Sequence, residues 1–186
     1  MRIFFAIMPP DEVKARLAEA VGRLTPAADD VVWCRREQFH LTLAFLGEAA
    51  PAILPHITAA AGRICAARSP FACHAYGLGY FGTRRIPRTF WAGVDSAPAL
   101  NDLQETLWQS LGRYGFENKE KEFRPHITLG RNRGEALNTG LIEAMDADEA
   151  VEFGAWNVAR ITLYESKQTP RGPIYRTLAH NALTGN

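Results

Sequence analysis

Apolar residues recur along the chain in two kinds of pattern, which together predict a protein of mixed helices and strands. Short apolar runs predict strands over residues 2–8, 31–33, 71–81, 89–94, 151–156, 158–165 and 173–178. Apolar residues at helical spacing predict helices between Pro10 and Thr25, within residues 51–68, from Pro98 to Gly115 and over residues 134–145. The second of these helices contains Pro55, which a helix accepts only in its first turn.

One further apolar run, residues 39–47, contains a histidine and a threonine two positions apart. Because side chains on a strand alternate between its two faces, His40 and Thr42 point the same way. The side chains predicted to point into a core on the other face are those of Leu41, Leu43 and Phe45. The run therefore predicts a buried strand that presents an imidazole beside a hydroxyl.

The same pattern returns in residues 125–131, where His126 and Thr128 lie in a second apolar run. Placing a polar pair inside an apolar strand costs free energy unless each group is hydrogen-bonded or used. Both runs also end near a glycine, Gly47 or Gly130, where the backbone could turn sharply or approach a ligand. An H-x-T strand, a helix and a pair of strands follow in this order twice, which suggests two similar lobes that share one site.

Three histidines begin an H-x-T, so the tripeptide alone is weak evidence for a site. His56 lies in a stretch of helical period, where residues two apart point about 200° away from each other. His74 and His180 have no partner motif and are interpreted as structural or exposed residues. Two alternatives stay open: zinc bound by the paired histidines, although no third ligand or H-E-x-x-H motif is evident, and a thiol nucleophile at Cys34.

The chain has 186 residues, of which 47% are hydrophobic, enough for one domain or for two small, closely packed lobes. Its net charge of +1 provides no overall field that would attract nucleic acid, so any basic surface has to be local. The three cysteines are odd in number and lack a C-x-x-C, which favours free thiols in the cytoplasm. No apolar run approaches the ~18 residues of a membrane span, and the apolar start is too short for a signal peptide.

Residues 40–47 (HLTLAFLG) and residues 124–131 (RPHITLGR) resemble the paired motifs of the two-histidine (2H) phosphoesterases. Within that superfamily the chain is similar to the bacterial and archaeal RNA 2′,3′-cyclic phosphodiesterases, historically called 2′-5′ RNA ligases. The resemblance includes the strand and double proline of residues 2–10 and the segments 163–166 and 172–175 near the end.

This resemblance implies an α+β fold with two antiparallel sheets around a central cleft and helices outside, in a single bilobal domain over residues 1–186. It also implies an enzyme that hydrolyses a terminal 2′,3′-cyclic phosphate to a 2′-phosphomonoester with neither a metal nor another cofactor. The implied partners are RNA or oligonucleotide ends, with no membrane and no obligate protein partner. The chain is expected to be a monomer.

The resemblance also implies a role for each residue of the two motifs. His40 would be the proton donor to the departing O3′, and His126 the proton acceptor for water. The residues alone do not assign these roles, because the motifs are nearly symmetric and imidazole, with an ordinary pKa near ~6.5, can serve as either. Thr42 and Thr128 would donate hydrogen bonds to the non-bridging oxygens, and Arg131 would bind the phosphate as a fixed positive charge.

Two groups of residues are predicted to bind the substrate beyond its phosphate. Phe39 or Tyr175 could stack on a base, and a basic loop could bind upstream phosphates. The arginines of that loop are Arg84, Arg85 and Arg88. Three other functions stay open: a 2′-5′ RNA ligase or 2′-5′ phosphodiesterase, a phosphodiesterase for other cyclic nucleotides, and a non-catalytic RNA-end binder.

Overall fold

The computed structural model describes residues 1–28, 30–95, 97–120, 122–134, 139–148, 150–170 and 172–185. Across these ranges the strands are β1 Arg2–Ile7, β2 Val31–Trp33, β3 Leu41–Glu48, β4 Phe71–Gly82, β5 Pro87–Val94, β6 His126–Asn132, β7 Glu152–Val158, β8 Arg160–Lys167 and β9 Ile174–Ala182. The α-helices are α1 Asp11–Leu24, α2 Leu54–Ala66, α3 Pro98–Gly112 and α4 Thr139–Ala147. Short 3₁₀ helices cover Thr25–Ala27, Arg36–Gln38 and Pro51–Ile53.

The strands form one antiparallel sheet in the order β7-β4-β5-β6-β3-β1-β8-β9, with β2 paired to β6 beside this path. Among the described residues, the pair of Leu41 in β3 and Ile127 in β6 joins its two halves, β7-β4-β5-β6 and β3-β1-β8-β9. The predicted α+β architecture is confirmed, and the two expected sheets are the two halves of this continuous sheet. The two H-x-T motifs, residues 40–42 and 126–128, therefore meet at the junction of the halves.

The helices pack on one face of the sheet, because their apolar stripes meet the alternate apolar residues of the strands. Ile3 and Phe5 of β1, Leu17 of α1 and Leu103 of α3 are all buried in one main core. Burying each such side chain contributes roughly 1.5–3 kcal/mol. On the opposite face of β1, Phe4 belongs to a smaller cluster with the partly buried ring of Tyr175.

The predicted elements agree with the structure apart from small shifts of their ends. Pro55 lies in the first turn of α2, as its missing backbone donor requires. Of the helix predicted over residues 134–145, positions 135–138 lie outside the described residues, and α4 is described from Thr139. None of the helices in the described ranges is long and apolar enough to cross a membrane.

Candidate active site

The two H-x-T motifs meet where the halves of the sheet join. Leu41 and Ile127 are partners in the antiparallel pair of β3 and β6, and both are buried in the main core. Their neighbours along each strand therefore point to the opposite face, which we call the site face, where each histidine lies beside the threonine of the other motif. The residues brought together in this way are His40, Thr42, His126 and Thr128.

Both imidazoles are oriented by the same kind of hydrogen bond. Nδ1 of His40 lies 2.7 Å from the carbonyl oxygen of Gln38, and Nδ1 of His126 lies 2.7 Å from the carbonyl oxygen of Arg124. Because a carbonyl oxygen only accepts, Nδ1 carries the hydrogen and donates it in both rings. Among the described residues neither Nε2 has a hydrogen-bond partner, so each can act as a base when its ring is neutral and as an acid when it is charged.

Gln38, whose carbonyl orients His40, is fixed by two hydrogen bonds of its side chain. Gln38 is 6% exposed, and its Oε1 accepts a hydrogen bond of 2.7 Å from the backbone N–H of Arg35. Its Nε2 donates to the carbonyl oxygen of Pro173 at 2.8 Å, just before β9. No sequence pattern predicted this residue, since nothing distinguishes a glutamine ahead of a motif from an ordinary loop residue.

The two imidazoles differ in how strongly their pKa values are lowered. Burial lowers the pKa of His40 to about 4, although its hydrogen bond to the Gln38 carbonyl acts in the other direction. Burial also lowers the pKa of His126, and the positive charge of Arg131 lowers both values further. In the free site both rings are therefore mostly neutral at neutral pH, and His40 is the harder of the two to protonate.

Arg131 reaches the site face because of a β-bulge. The pairing of β5 with β6 shifts register between Phe90 and Trp91, which leaves Leu129 as an extra residue of β6 and displaces the alternation by one position. Arg131 therefore points to the same side as the histidine of its strand, and its Nη1 donates to Oγ1 of Thr89 at 3.2 Å. The structure places this predicted phosphate-binding residue beside the two H-x-T motifs.

The first motif has the same irregularity. The pairing of β3 with β1 shifts register between Phe5 and Ala6, which leaves Leu43 as the extra residue. Phe45 therefore lies opposite Phe4 on the site face and is 45% exposed. The prediction that Phe45 points into the core is wrong, because the regular alternation of a strand does not continue through a bulge.

The two predicted stacking residues have different positions. Phe39 is 0% exposed in the main core, so the prediction that it stacks on a base is wrong. Tyr175 lies at the site, with its ring edge-on to the rings of His40 and Phe4 at centroid distances of 5.0 Å each. Burial raises the pKa of Tyr175 to about 12, so its hydroxyl stays protonated near neutral pH and can donate a hydrogen bond.

Gly130 serves packing between strands. A Cβ at this position would lie 2.7 Å from the ring of Trp33 and 2.9 Å from the side chain of Val31, both on β2. The glycine therefore lets β2 lie against β6, and the suggested close approach is made by protein side chains. Gly47, in contrast, has a φ of 69°, a backbone conformation that other residues rarely adopt.

The basic loop joins β4 to β5, at the end of the hairpin nearest to Arg131. Arg84 forms an ion pair of 2.9 Å with Asp146 of α4, so part of its charge is already neutralised. Arg85 and Arg88 are exposed. A role in binding upstream phosphates stays a prediction for these arginines.

The remaining histidines are engaged elsewhere. His56 is exposed on α2, as its helical context predicts. His74 is bonded to Glu152 through Nε2 at 2.5 Å, and Nδ1 of His180 lies 2.9 Å from Oγ1 of Thr162. Within the described ranges, no group of three or more His, Cys, Asp or Glu side chains is arranged to hold a metal ion.

Cys34, considered as a nucleophile from the sequence, is partly buried. Burial raises the pKa of its thiol, although the charge of Arg131 partly offsets this. Because the thiolate is the reactive form, a raised pKa disfavours nucleophilic catalysis by this cysteine.

Comparison with known proteins gives consistent matches over almost the whole chain. The family model of the 2′-5′ RNA ligase superfamily matches residues 5–170. An RNA 2′,3′-cyclic phosphodiesterase of Thermotoga maritima is 35% identical over 185 residues, which cover 96% of this chain and 93% of that protein. The enzyme of the same name from Geobacillus stearothermophilus is 32% identical over 98% of this chain, but the chain spans only 57% of its length.

Solved structures extend the likeness to the fold. The crystal structure of TT0787 of Thermus thermophilus has a TM-score of 0.84 at 31% identity and covers 100% of this chain and 99% of its own. Escherichia coli LigT complexed with 3′-AMP has a TM-score of 0.80 at 28% identity, with 98% of both chains covered. With its paired H-x-T strands at the junction of one antiparallel sheet, the chain belongs to the 2′-5′ RNA ligase superfamily.

Proposed function

We propose that the chain is an RNA 2′,3′-cyclic phosphodiesterase that hydrolyses a terminal 2′,3′-cyclic phosphate to a 2′-phosphomonoester. The observation that carries the proposal is the pair of imidazoles on the site face, each with Nδ1 bound to a backbone carbonyl and Nε2 left for a substrate. Relatives named RNA 2′,3′-cyclic phosphodiesterase at 35% and 32% identity support it. Both halves of the sheet act as one domain, because each supplies one histidine.

The reaction needs one proton removed and one delivered on opposite sides of phosphorus. Nε2 of His126 takes a proton from water as the water oxygen bonds to phosphorus. The bond from phosphorus to O3′ breaks, and Nε2 of His40 gives O3′ its proton, which leaves a 3′-hydroxyl and a 2′-phosphate. Each of these proton transfers typically contributes about 10²–10⁴-fold to the rate. No step requires a metal.

His40 has to hold a proton before it can act as the acid. In the free site burial lowers its pKa to about 4, so few molecules carry that proton at neutral pH. A bound phosphate places negative charge beside both imidazoles, and a nearby opposite charge raises the pKa of each. Substrate binding is therefore what charges the acid, and the free enzyme stays mostly neutral at both rings.

The other residues of the site bind the charge that develops on phosphate. Within the part of the chain that the structure describes, the hydroxyls of Thr42 and Thr128 have no hydrogen-bond partner in the protein, so both are available to a non-bridging oxygen. Arg131 supplies positive charge at the same face, held by Thr89. Tyr175 adds a protonated hydroxyl beside His40.

The test is an RNA oligonucleotide that ends in a 2′,3′-cyclic phosphate, incubated with the protein in the presence of EDTA. We expect turnover to a 2′-phosphomonoester, identified by mass spectrometry and by its resistance to a 3′-specific phosphatase. Retention of the labelled RNA without turnover would support an RNA-end binder and contradict the proposal. Loss of turnover on chelation would contradict the metal-free mechanism alone.

A further inference from the structure

Gln38 is a buried glutamine whose side chain the chemistry described above does not use. This side chain joins two segments of the chain that are 135 positions apart. Its Oε1 accepts from the backbone N–H of Arg35, and its Nε2 donates to the carbonyl oxygen of Pro173. Burying an amide costs free energy unless its polar atoms are bonded. The partners also fix the orientation of the amide, since an N–H only donates and a carbonyl only accepts.

The first of the two segments leads directly into His40. Residues 36–38 form one turn of 3₁₀ helix, in which the backbone N–H of Gln38 donates to the carbonyl oxygen of Arg35 at 2.8 Å. Gln38 is therefore bonded to Arg35 through both its backbone and its side chain. Its own carbonyl oxygen accepts from Nδ1 of His40. The direction in which Nε2 of His40 points thus depends on how this short helix is fixed.

The second segment is the turn between β8 and β9. Thr169 and Gly172 bond to each other through their backbones at 3.0 and 3.2 Å, and Oγ1 of Thr169 donates to the carbonyl oxygen of Gly172 at 2.6 Å. Gly172 has a φ of 97°, which favours glycine. A Cβ at this position would lie 3.4 Å from Nε2 of Gln38. The closed turn therefore lies directly against the buried amide.

Among the described residues, the second motif has no equivalent link. The carbonyl that orients His126 belongs to Arg124, whose exposed side chain pairs with Glu122, only two residues away. The turn bonded to the first motif, in contrast, leads into Tyr175 of β9, whose ring is edge-on to that of His40. The buried amide thus connects one histidine, and not the other, to a distant part of the sheet.

We propose that Gln38 is a positioning residue, whose side chain fixes the carbonyl that orients His40 toward the departing O3′. The inference rests on the proposed phosphodiesterase function and adds a residue that acts through His40 without touching the substrate. Methionine at this position would have nearly the same shape but neither an amide donor nor an amide acceptor. The short helix would then lose its bond to the turn, and a small displacement of a catalytic group lowers the rate steeply.

The test is a double-mutant cycle between Gln38→Met and His40→Ala on the cyclic-phosphate oligonucleotide. We expect Gln38→Met alone to lower kcat about 10- to 100-fold with little change in KM, since the groups that bind phosphate are unchanged. In the His40→Ala background it should lower kcat no further, because no imidazole is left to position. Equal losses in both backgrounds would show that Gln38 only stabilises the fold. That result, or no loss in either background, would overturn the proposal.

Gln104→Met is the matched control, because Gln104 is also a glutamine of 6% exposure but lies on α3. Loss of this buried amide should lower stability and leave kcat unchanged. Circular dichroism and urea unfolding verify the fold of every variant. If Gln104→Met lowers kcat as much as Gln38→Met, loss of stability alone explains both results and the proposal is wrong.

Thr169→Val tests the same link from the other segment and decides the question if Gln38→Met does not fold. It removes the hydroxyl that closes the turn and leaves Gln38 unchanged. We expect a smaller loss of kcat, about 2- to 10-fold, which again disappears in the His40→Ala background. An unchanged kcat, or an equal loss in both backgrounds, would contradict the proposal.

A measurement without turnover separates this inference from the proposed reaction. Nitrogen NMR of the imidazoles at about pH 8, where both rings are neutral, shows which nitrogen carries the hydrogen. In wild type we expect it on Nδ1 of both His40 and His126. In Gln38→Met we expect a mixture of the Nδ1–H and Nε2–H forms at His40 and no change at His126.

The two proposals can therefore fail separately. If wild type hydrolyses no cyclic phosphate but the NMR difference is found, the phosphodiesterase proposal is wrong and the positioning of His40 by Gln38 stands. If the His40 signals are the same in wild type and Gln38→Met, the positioning role is refuted whatever the activity.

Discussion

Residues 40–45 and residues 126–131 share a pattern of burial, strand irregularity and hydrogen bonding, but their neighbouring residues differ. In both, a partly buried histidine and threonine alternate with buried residues, a bulge follows, and the sixth residue is exposed. In both, Nδ1 of the histidine is bound at 2.7 Å to the carbonyl two residues before it. This shared arrangement explains why either imidazole could act as acid or base.

The surroundings break this symmetry in two places. The carbonyl that orients His40 belongs to the buried Gln38, whereas that of His126 belongs to Arg124, whose exposed guanidinium pairs with Glu122 at 2.9 Å. The sixth residue is Phe45 in one motif and an arginine in the other. The difference teaches that two nearly identical motifs can hold imidazoles of different pKa, because the surroundings of each ring differ.

The largest expected effect comes from removing either histidine. His40→Ala and His126→Ala should each lower kcat about 10²–10⁴-fold, because each deletes one proton transfer. Rates on a cyclic-phosphate oligonucleotide, with circular dichroism to verify the fold, measure this. His56→Ala is the control, since His56 also begins an H-x-T but is exposed on α2. Near-native rates in either active-site variant would show that the two motifs do not act as a pair.

The second prediction tests which of the two histidines is the acid. Replacing O3′ of the cyclic phosphate by sulfur provides a leaving group that departs without a proton, since thiols are far more acidic than alcohols. His40→Ala should then hydrolyse this substrate within about tenfold of wild type, whereas His126→Ala should stay slow by about 10²–10⁴-fold. Single-turnover rates with both substrates give the comparison. Rescue of His126→Ala in place of His40→Ala would reverse the assignment.

Much of this arrangement could be predicted from the sequence. Alternation along residues 39–42 and 125–128 placed each histidine with its threonine, because period-two patterns reflect which side of a strand is buried. The positions of Phe45 and Phe39 could not be predicted. A bulge depends on the register between two strands, and nothing within residues 43–45 marks Leu43 as the extra residue. Phe39 precedes the strand, where alternation no longer indicates burial.

The pairing of the two motifs across Leu41 and Ile127 also lies beyond a pattern along one chain. It brings together residues that are far apart in sequence, and it follows from the packing of the whole sheet. The sequence supported a shared site because the motif occurs twice. The structure adds which histidine lies beside which threonine. It also shows that His40 donates to the backbone carbonyl of Gln38, whose side chain is bonded to Pro173.

The smallest expected effect is a change in how folding stability depends on pH. It tests whether His40 is more deeply buried than His126. Burial lowers the pKa of His40 to about 4 in the folded chain, whereas in the unfolded chain it has its ordinary value of ~6.5. Between these values the unfolded chain binds more protons, so this contribution to stability is complete above the unfolded pKa and is lost as pH falls toward the folded one. The contribution of His126 changes in the same direction, since its pKa is also lowered.

The neutral, similarly shaped variant His40→Asn removes this contribution. Wild type should therefore lose about 2 kcal/mol more stability than His40→Asn between about pH 7 and about pH 4.5, measured by urea unfolding. His126→Asn should reduce the pH dependence less, because His126 is less enclosed by the protein than His40. If both variants reduce it equally, the two rings are buried alike, and the asymmetry of the site lies in Phe45 and Arg131. If His40→Asn has the pH dependence of wild type, His40 is not desolvated, and the acid needs no bound phosphate to hold its proton.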